Sequence, residues 1–202
     1  MTFKRRKINP KTEIKKNLKN HSMKVLHDNG TYRHLRFSDG SSSTYWYEVI
    51  TWPGHLAITG DMGAWTFSRV PDMFDFFRCA RGDISPQYWA EKLTAQSCYE
   101  GPAEKFCIDT FKAQLKECLR DVLPMKRRRA IWDDVLSELS EEAEPYARRA
   151  IYEYESECGF TFQDAWEIRG KKWSYHYLWC CYAIVYAITQ FDKLKNEGTP
   201  KP

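Results

Sequence analysis

With 202 residues, 43% of them apolar and 15% aromatic, the chain has enough hydrophobic side chain to bury a substantial core, which excludes a largely disordered protein. Its net charge of +4 is unevenly spread: residues 1–24 carry nine Lys or Arg against one acid, Glu13, so the rest of the chain is net negative. Seven cysteines with no C-x-x-C spacing argue against a zinc ribbon and for a reduced, intracellular protein.

In chain order, the basic run "FKRRKINPK" has no apolar stretch behind it, so a secretory signal is not expected. Asn9-Pro10 reads as a helix start with Pro at the first turn, and Ile14, Leu18, Val25 and Leu26 continue a near-helical spacing until Asn29-Gly30. Residues 1–30 are thus expected to form a basic arm and helix. The period then changes to two. Four runs, "TYRHLRFS", "TYWYEVITW", "HLAITG" and "AWTFSR", are separated by Asp39-Gly40 with three serines, by Pro53-Gly54 and by Gly60-Asp61-Met62-Gly63. That pattern predicts an antiparallel meander of three or four strands. The glycines of the third turn do not read as a phosphate loop, because a strand follows them instead of a helix N-terminus.

Helical signals occupy the rest. "PDMFDFFRCA" starts at Pro71, and "SPQYWAEKLTAQS" starts with Ser85 as N-cap and Pro86 in the first turn. A longer run from Gly101 spaces Cys107, Phe111, Leu115, Cys118, Leu119 and Val122 by three or four, and further helices are expected at 129–139 and 146–157. The last helix, about Trp173 to Lys195, is apolar all round in its middle, and "YLWCCYAIVYAI" is too short to span a bilayer. It is expected to be the central helix of one α+β domain, residues 31–198, in which a three- to four-stranded meander precedes about six helices packed round it.

Several residue groups invite a chemical reading. Tyr32, His34 and Arg36 alternate with Leu35 and Phe37, and with Trp52 they form a candidate stacking surface for single-stranded nucleic acid. Helices covering both faces of the sheet are the simpler alternative. Asp61, Asp72, Asp75 and His55 could be imagined as a hydrolytic or metal cluster, but turn and helix-cap roles explain the acids more cheaply. No G-x-S-x-G elbow, metal-ligand spacing or cofactor motif is present, so neither a cofactor nor a metal is expected. The strongest feature is charge. Lys4, Arg5, Arg6, Lys7, Lys11, Lys15, Lys16 and Lys19 form a candidate phosphate- or acid-binding arm, and "KRRR" at 126–129 is a second basic patch. The acids Asp133, Asp134, Glu138, Glu141 and Glu142 lie close behind that patch, so its bland reading is intramolecular pairing.

The block "FSDG…YWYEVITWPGHLAITGDMGAWTFSRVPDMFDFFR", together with "YHYLWCCYAIVYAITQFD", resembles accessory proteins encoded by bacteriophages and prophages. The resemblance brings no catalytic residues. It implies an anti-defence protein, of the anti-CRISPR kind, that acts stoichiometrically in the host bacterial cytoplasm. Its partner would be a host defence protein or ribonucleoprotein complex, without a membrane. The alternatives from the residues themselves are a nucleic-acid-binding accessory protein, contacting DNA or RNA, and a metal-dependent hydrolase or nuclease using the Asp61 region.

Overall fold

Alternating apolar residues build an antiparallel sheet, which in the computed structural model has six strands, more than the three or four predicted. The structure describes residues 9–78, 83–98, 101–139, 143–157 and 159–197. Strands β1 (Ser22–Asn29), β2 (Tyr32–Asp39), β3 (Ser42–Trp52), β4 (His55–Gly60), β5 (Trp65–Ser68) and β6 (Leu93–Gln96) each pair with the next in sequence. The class is α+β. Two compact units make up the chain, one from Met1–Ala103 with Trp173–Pro202 and one from Glu104–Lys172.

In the first unit the strand pleat sends Leu35 and Phe37, Tyr47 and Val49, Leu56 and Ile58, and Trp65 and Phe67 to one face, all buried. Helices α1 (Pro10–Asn17), α2 (Met73–Phe77), α3 (Pro86–Ala90) and α7 (Tyr175–Glu197) contribute Ile14, Phe74, Trp89, Trp179 and Ile184 to the same core. Aromatic rings interlock there: Phe37 stacks on Tyr47 at 4.7 Å, and Trp179 meets Tyr47 edge-on at 5.6 Å. The buried Cys180 and Cys181 act as small apolar residues of α7. Among the described residues no helix is long and apolar enough to cross a membrane.

Three predicted helices are corrected, among them the run expected to be helical from Gly101, in which Glu104–Phe106 form a strand and the helix starts only at Ile108. The first was expected to reach Asn29, but α1 ends at Asn17 and residues 22–29 form β1. Met23 and Val25 pair with Phe37 and Leu35 across the ladder, so their spacing of two serves a sheet. Asn29-Gly30 is the corner of a hairpin instead of a helix stop: Asn29 pairs with Tyr32, and Gly30 takes the positive φ of +61° that the two-residue loop demands. Likewise "SPQYWAEKLTAQS" is a helix only to Ala90. Residues 93–96 become β6, with Leu93 opposite Phe67 and Ala95 opposite Thr66.

The third turn of the meander is structural. Gly60 has φ +153°, and a Cβ there would fall 2.2 Å from the Trp46 carbonyl oxygen, so only glycine lets β4 approach β3 so closely. Asp61 then locks the turn. Its N–H donates to the Trp46 oxygen at 3.0 Å, and its carboxylate accepts the N–H of Tyr45 at 2.8 Å, a residue held at φ +59°.

The second unit contains β7 (Glu104–Phe106), α4 (Ile108–Val122), α5 (Met125–Glu138), α6 (Glu144–Tyr152), a 3-10 turn at Ala165–Glu167 and the start of β8 (Lys171–Trp173). It has its own core, in which Phe111, Leu115 and Leu119 of α4 meet Ile131 and Val135 of α5 and Ala147 and Ile151 of α6. Their three-and-four spacing is the one the sequence displays.

Candidate nucleic-acid interface

The N-terminal cations divide into three sets. Lys4, Arg5, Arg6 and Lys7 lie outside the described residues. Lys11 pairs with Asp83, and Lys16 with Glu13 at 2.9 Å. Lys15 and Lys19 are exposed, with no carboxylate among the described residues in ion-pair reach. Lys15 and Lys16 occupy the last turn of α1, where a cation interacts favourably with the negative end of the helix dipole. Part of the arm's charge therefore has a structural role.

The polar face of the sheet carries the other predicted group. His34 and Arg36 do come together, through Glu48: its two carboxylate oxygens lie 2.8 Å from His34 Nε2 and 2.8 Å from the Arg36 guanidinium. Arg36 also lies over the Trp46 ring, 5.1 Å from its centroid. Trp52 is engaged by His55, whose ring stacks on it at 5.0 Å with 7° between planes. Tyr32 stands exposed at the start of β2. Glu48 thus offsets the charge that would attract a phosphate, and one Trp face is covered by an imidazole.

The acids once grouped with Asp61 are separately employed. Asp72 accepts two hydrogen bonds from Arg33 at 2.8 Å and caps α2 through the N–H of Phe74. Asp75 pairs with Arg78, which also reaches Asp192 at 3.0 Å. His55 Nδ1 lies 3.1 Å from the Pro53 oxygen. Among the described residues no three His, Cys, Asp or Glu side chains converge on a metal-sized space.

The basic run 126–129 behaves differently. It fills the first turns of α5, where no acid accompanies it, so four cations crowd the positive end of a helix dipole and repel one another. The pairing anticipated with downstream acids is slight. Arg129 reaches Asp133 only at 4.0 Å, with side chains 88% and 67% exposed, and Asp134 instead accepts the Tyr154 hydroxyl at 3.1 Å. Glu141 and Glu142 lie outside the described residues. Lys126, Arg127 and Arg128 have no carboxylate among the described residues within 4.0 Å, and Arg128 Nε is shielded from water without an acceptor.

Beside them α4 and α5 form a cleft of about 260 Å³ lined by Lys116, Leu119, Met125, Arg128, Arg129 and Trp132. Lys116 Nζ lies 4.6 Å from the centre of the Trp132 ring. Among the described residues no carboxylate lines this cleft. It therefore combines three cations with an indole floor, a pairing suited to polyanions that carry flat rings. Sequence reasoning marked the arginines and missed Lys116, Met125 and Trp132. The i, i+4 step from Arg128 to Trp132 was visible, but the contribution of α4 is a tertiary fact.

Comparison of the chain with protein-family models, with curated proteins and with solved structures gives no match.

Proposed function

We propose that this is a nucleic-acid-binding accessory protein, which meets phosphates through the cations of α5 and Lys116, with the basic N-terminal segment adding longer-range attraction. One observation carries the reading. Elsewhere Arg33, Arg36, Arg78, Arg148 and Arg149 each have a carboxylate within 3.0 Å, whereas Lys126, Arg127 and Arg128 have none among the described residues. Cations left unpaired at a helix N-terminus cost stability, and a polyanion would relieve that cost.

The test is binding of labelled DNA and RNA oligonucleotides by fluorescence anisotropy at several salt concentrations. Affinity should fall linearly on a log–log plot, with a slope of about −3 to −5 for the four or five phosphates these cations can meet. Binding that ignores salt, or that survives unchanged when residues 126–129 are neutralised, would refute the reading.

A second reading, docking on a host defence ribonucleoprotein complex as the phage resemblance implies, is favoured by a different observation. Tyr146, Tyr152 and Trp166 of the second unit are 62%, 55% and 62% exposed, and exposed aromatics are characteristic anchors of protein interfaces. Co-elution with a purified CRISPR effector complex, abolished by Trp166→Ala and Tyr146→Ala, is the expected result. A parent protein that elutes apart from every such complex rules it out.

A further inference from the structure

We propose that the α4–α5 cleft is a stacking site for single-stranded nucleic acid, in which an unpaired base lies against the indole of Trp132 while neighbouring phosphates meet Arg128, Arg129 and Lys116. This rests on the nucleic-acid-binding reading and adds to it strandedness and a recognition residue.

The argument starts from the shape and chemistry of the recess. A double helix offers a cleft its phosphates and the edges of its bases but not their ring faces, which are stacked inside. A single strand offers rings as well. The inner lining here is apolar and aromatic, from Trp132 and Leu119, and Lys116, Arg128 and Arg129 line the cleft with them. A surface built for a duplex needs the cations alone and gains nothing from an apolar floor. Met125, 77% exposed, leaves a flexible thioether at the mouth of the recess, a side chain that adapts to rings of differing shape.

Lys116 supplies the second part of the argument. Its ammonium rests on the Trp132 ring, 4.6 Å from the centroid, which holds the indole face ready and keeps it covered by a group that can leave. Stacking of a base on an aromatic side chain outweighs an exposed cation–π contact. An arriving base therefore displaces the ammonium, and the freed lysine lies within side-chain reach of the flanking phosphate. Arg128 and Arg129 also line the cleft, and Arg128 has no carboxylate among the described residues within 4.0 Å to compete for its guanidinium. The charged side chains that line the cleft among the described residues are cations, which favours an anionic occupant. The indole makes it an anion with rings.

The experiment compares a labelled 15-nucleotide single strand with a 15-base-pair duplex on the full chain and on Trp132→Phe, Trp132→Leu and the double variant Arg128→Gln/Arg129→Gln. Leu keeps apolar bulk without a π-face, and Phe keeps the π-face. The single strand should bind the parent about tenfold more tightly than the duplex. Trp132→Leu should lose about tenfold on the single strand with its salt slope and its duplex affinity unchanged, while Trp132→Phe should stay near the parent. The arginine variant should flatten the single-strand salt slope by about 1.4, at roughly 0.7 per phosphate contact. That measurement does not depend on the fold tolerating a change at Trp132.

One result would overturn the proposal while leaving the broader reading standing: Trp132→Leu weakening both nucleic acids equally or neither, with salt-sensitive binding by the parent intact; a single-strand slope unmoved by the arginine changes would count against both. Absence of salt-sensitive binding by the parent to either nucleic acid would overturn both.

Discussion

Asp72 shows how much one side chain carries in the first unit. It caps α2, forms a two-pronged salt bridge to Arg33, and through that bridge holds a guanidinium that is only 11% exposed. Arg33 is further pinned over the Phe74 ring at 4.5 Å. Hydrogen bonds from Arg33 hold the Asp72 carboxyl below the usual carboxylate range, against the opposing effect of its partial burial. Asp72→Ala should lower stability by about 2–4 kcal/mol, since it removes a cap and strands a shielded cation. The pH dependence follows in sign. A folded-state carboxyl that titrates below its unfolded value, near 3.9, gives its full stabilisation above that pH and loses it as the pH falls through the lower folded value. Thermal unfolding of the parent should therefore decline below about pH 4 more steeply than that of Asp72→Asn. Equal acid limbs would show that the bridge contributes nothing.

At the scale of elements, α5 opposes local stability with charge. Its first turn has cations and no acid, and Pro124 at its N-cap position accepts no side-chain duty. Lys126→Glu and Arg127→Glu should each raise the stability of the chain to urea by about 0.3–1 kcal/mol at low salt. Each should also weaken nucleic-acid binding. Gain of stability with loss of binding is the mark of charge kept for a ligand, and a loss of stability would instead mean that these cations have internal partners. The same scale explains what the sequence disclosed. Strands β2 to β5 were legible because each alternates by itself, most of α4 to α6 because their apolar residues recur by three and four, and α7 because its middle is apolar all round; the strand at Glu104–Phe106 was hidden in the run read as helix. β1 and β6 were not, because Met23, Val25 and Leu93 gain their burial from residues in other strands. Helix spacing and strand spacing coincide over such short runs, and only pairing decides between them. The cleft was half legible for the same reason: arginines and an indole on one helix could be read, whereas Lys116 on its neighbour could not.

At the scale of the whole molecule, residues 104–172 leave and re-enter the first unit at one place. The N–H of Ser174 donates to the oxygen of Ala103 at 2.7 Å, so the two ends of the first unit's chain already touch. Replacing 104–172 by a short Gly-Ser link should therefore leave the sheet and α7 cooperatively folded, with near-parental far-UV circular dichroism and a sharp thermal transition. The shortened chain should lose the salt-sensitive binding assigned to α5. A shortened chain without a cooperative transition would show that the first unit depends on the segment removed.

The contact between Ser174 and Ala103 also bears on the order of events during folding. α7 supplies the centre of the first unit's core, yet it is separated from the sheet by the 69 residues from Glu104 to Lys172. Closing a flexible loop of that length costs roughly 3 kcal/mol more than closing one of a few residues. A segment that has already collapsed on its own core presents the chain with the shorter loop. Helices α4 to α6, whose contacts are local, are thus placed to form early, and their collapse would lower the cost of docking α7 on the sheet.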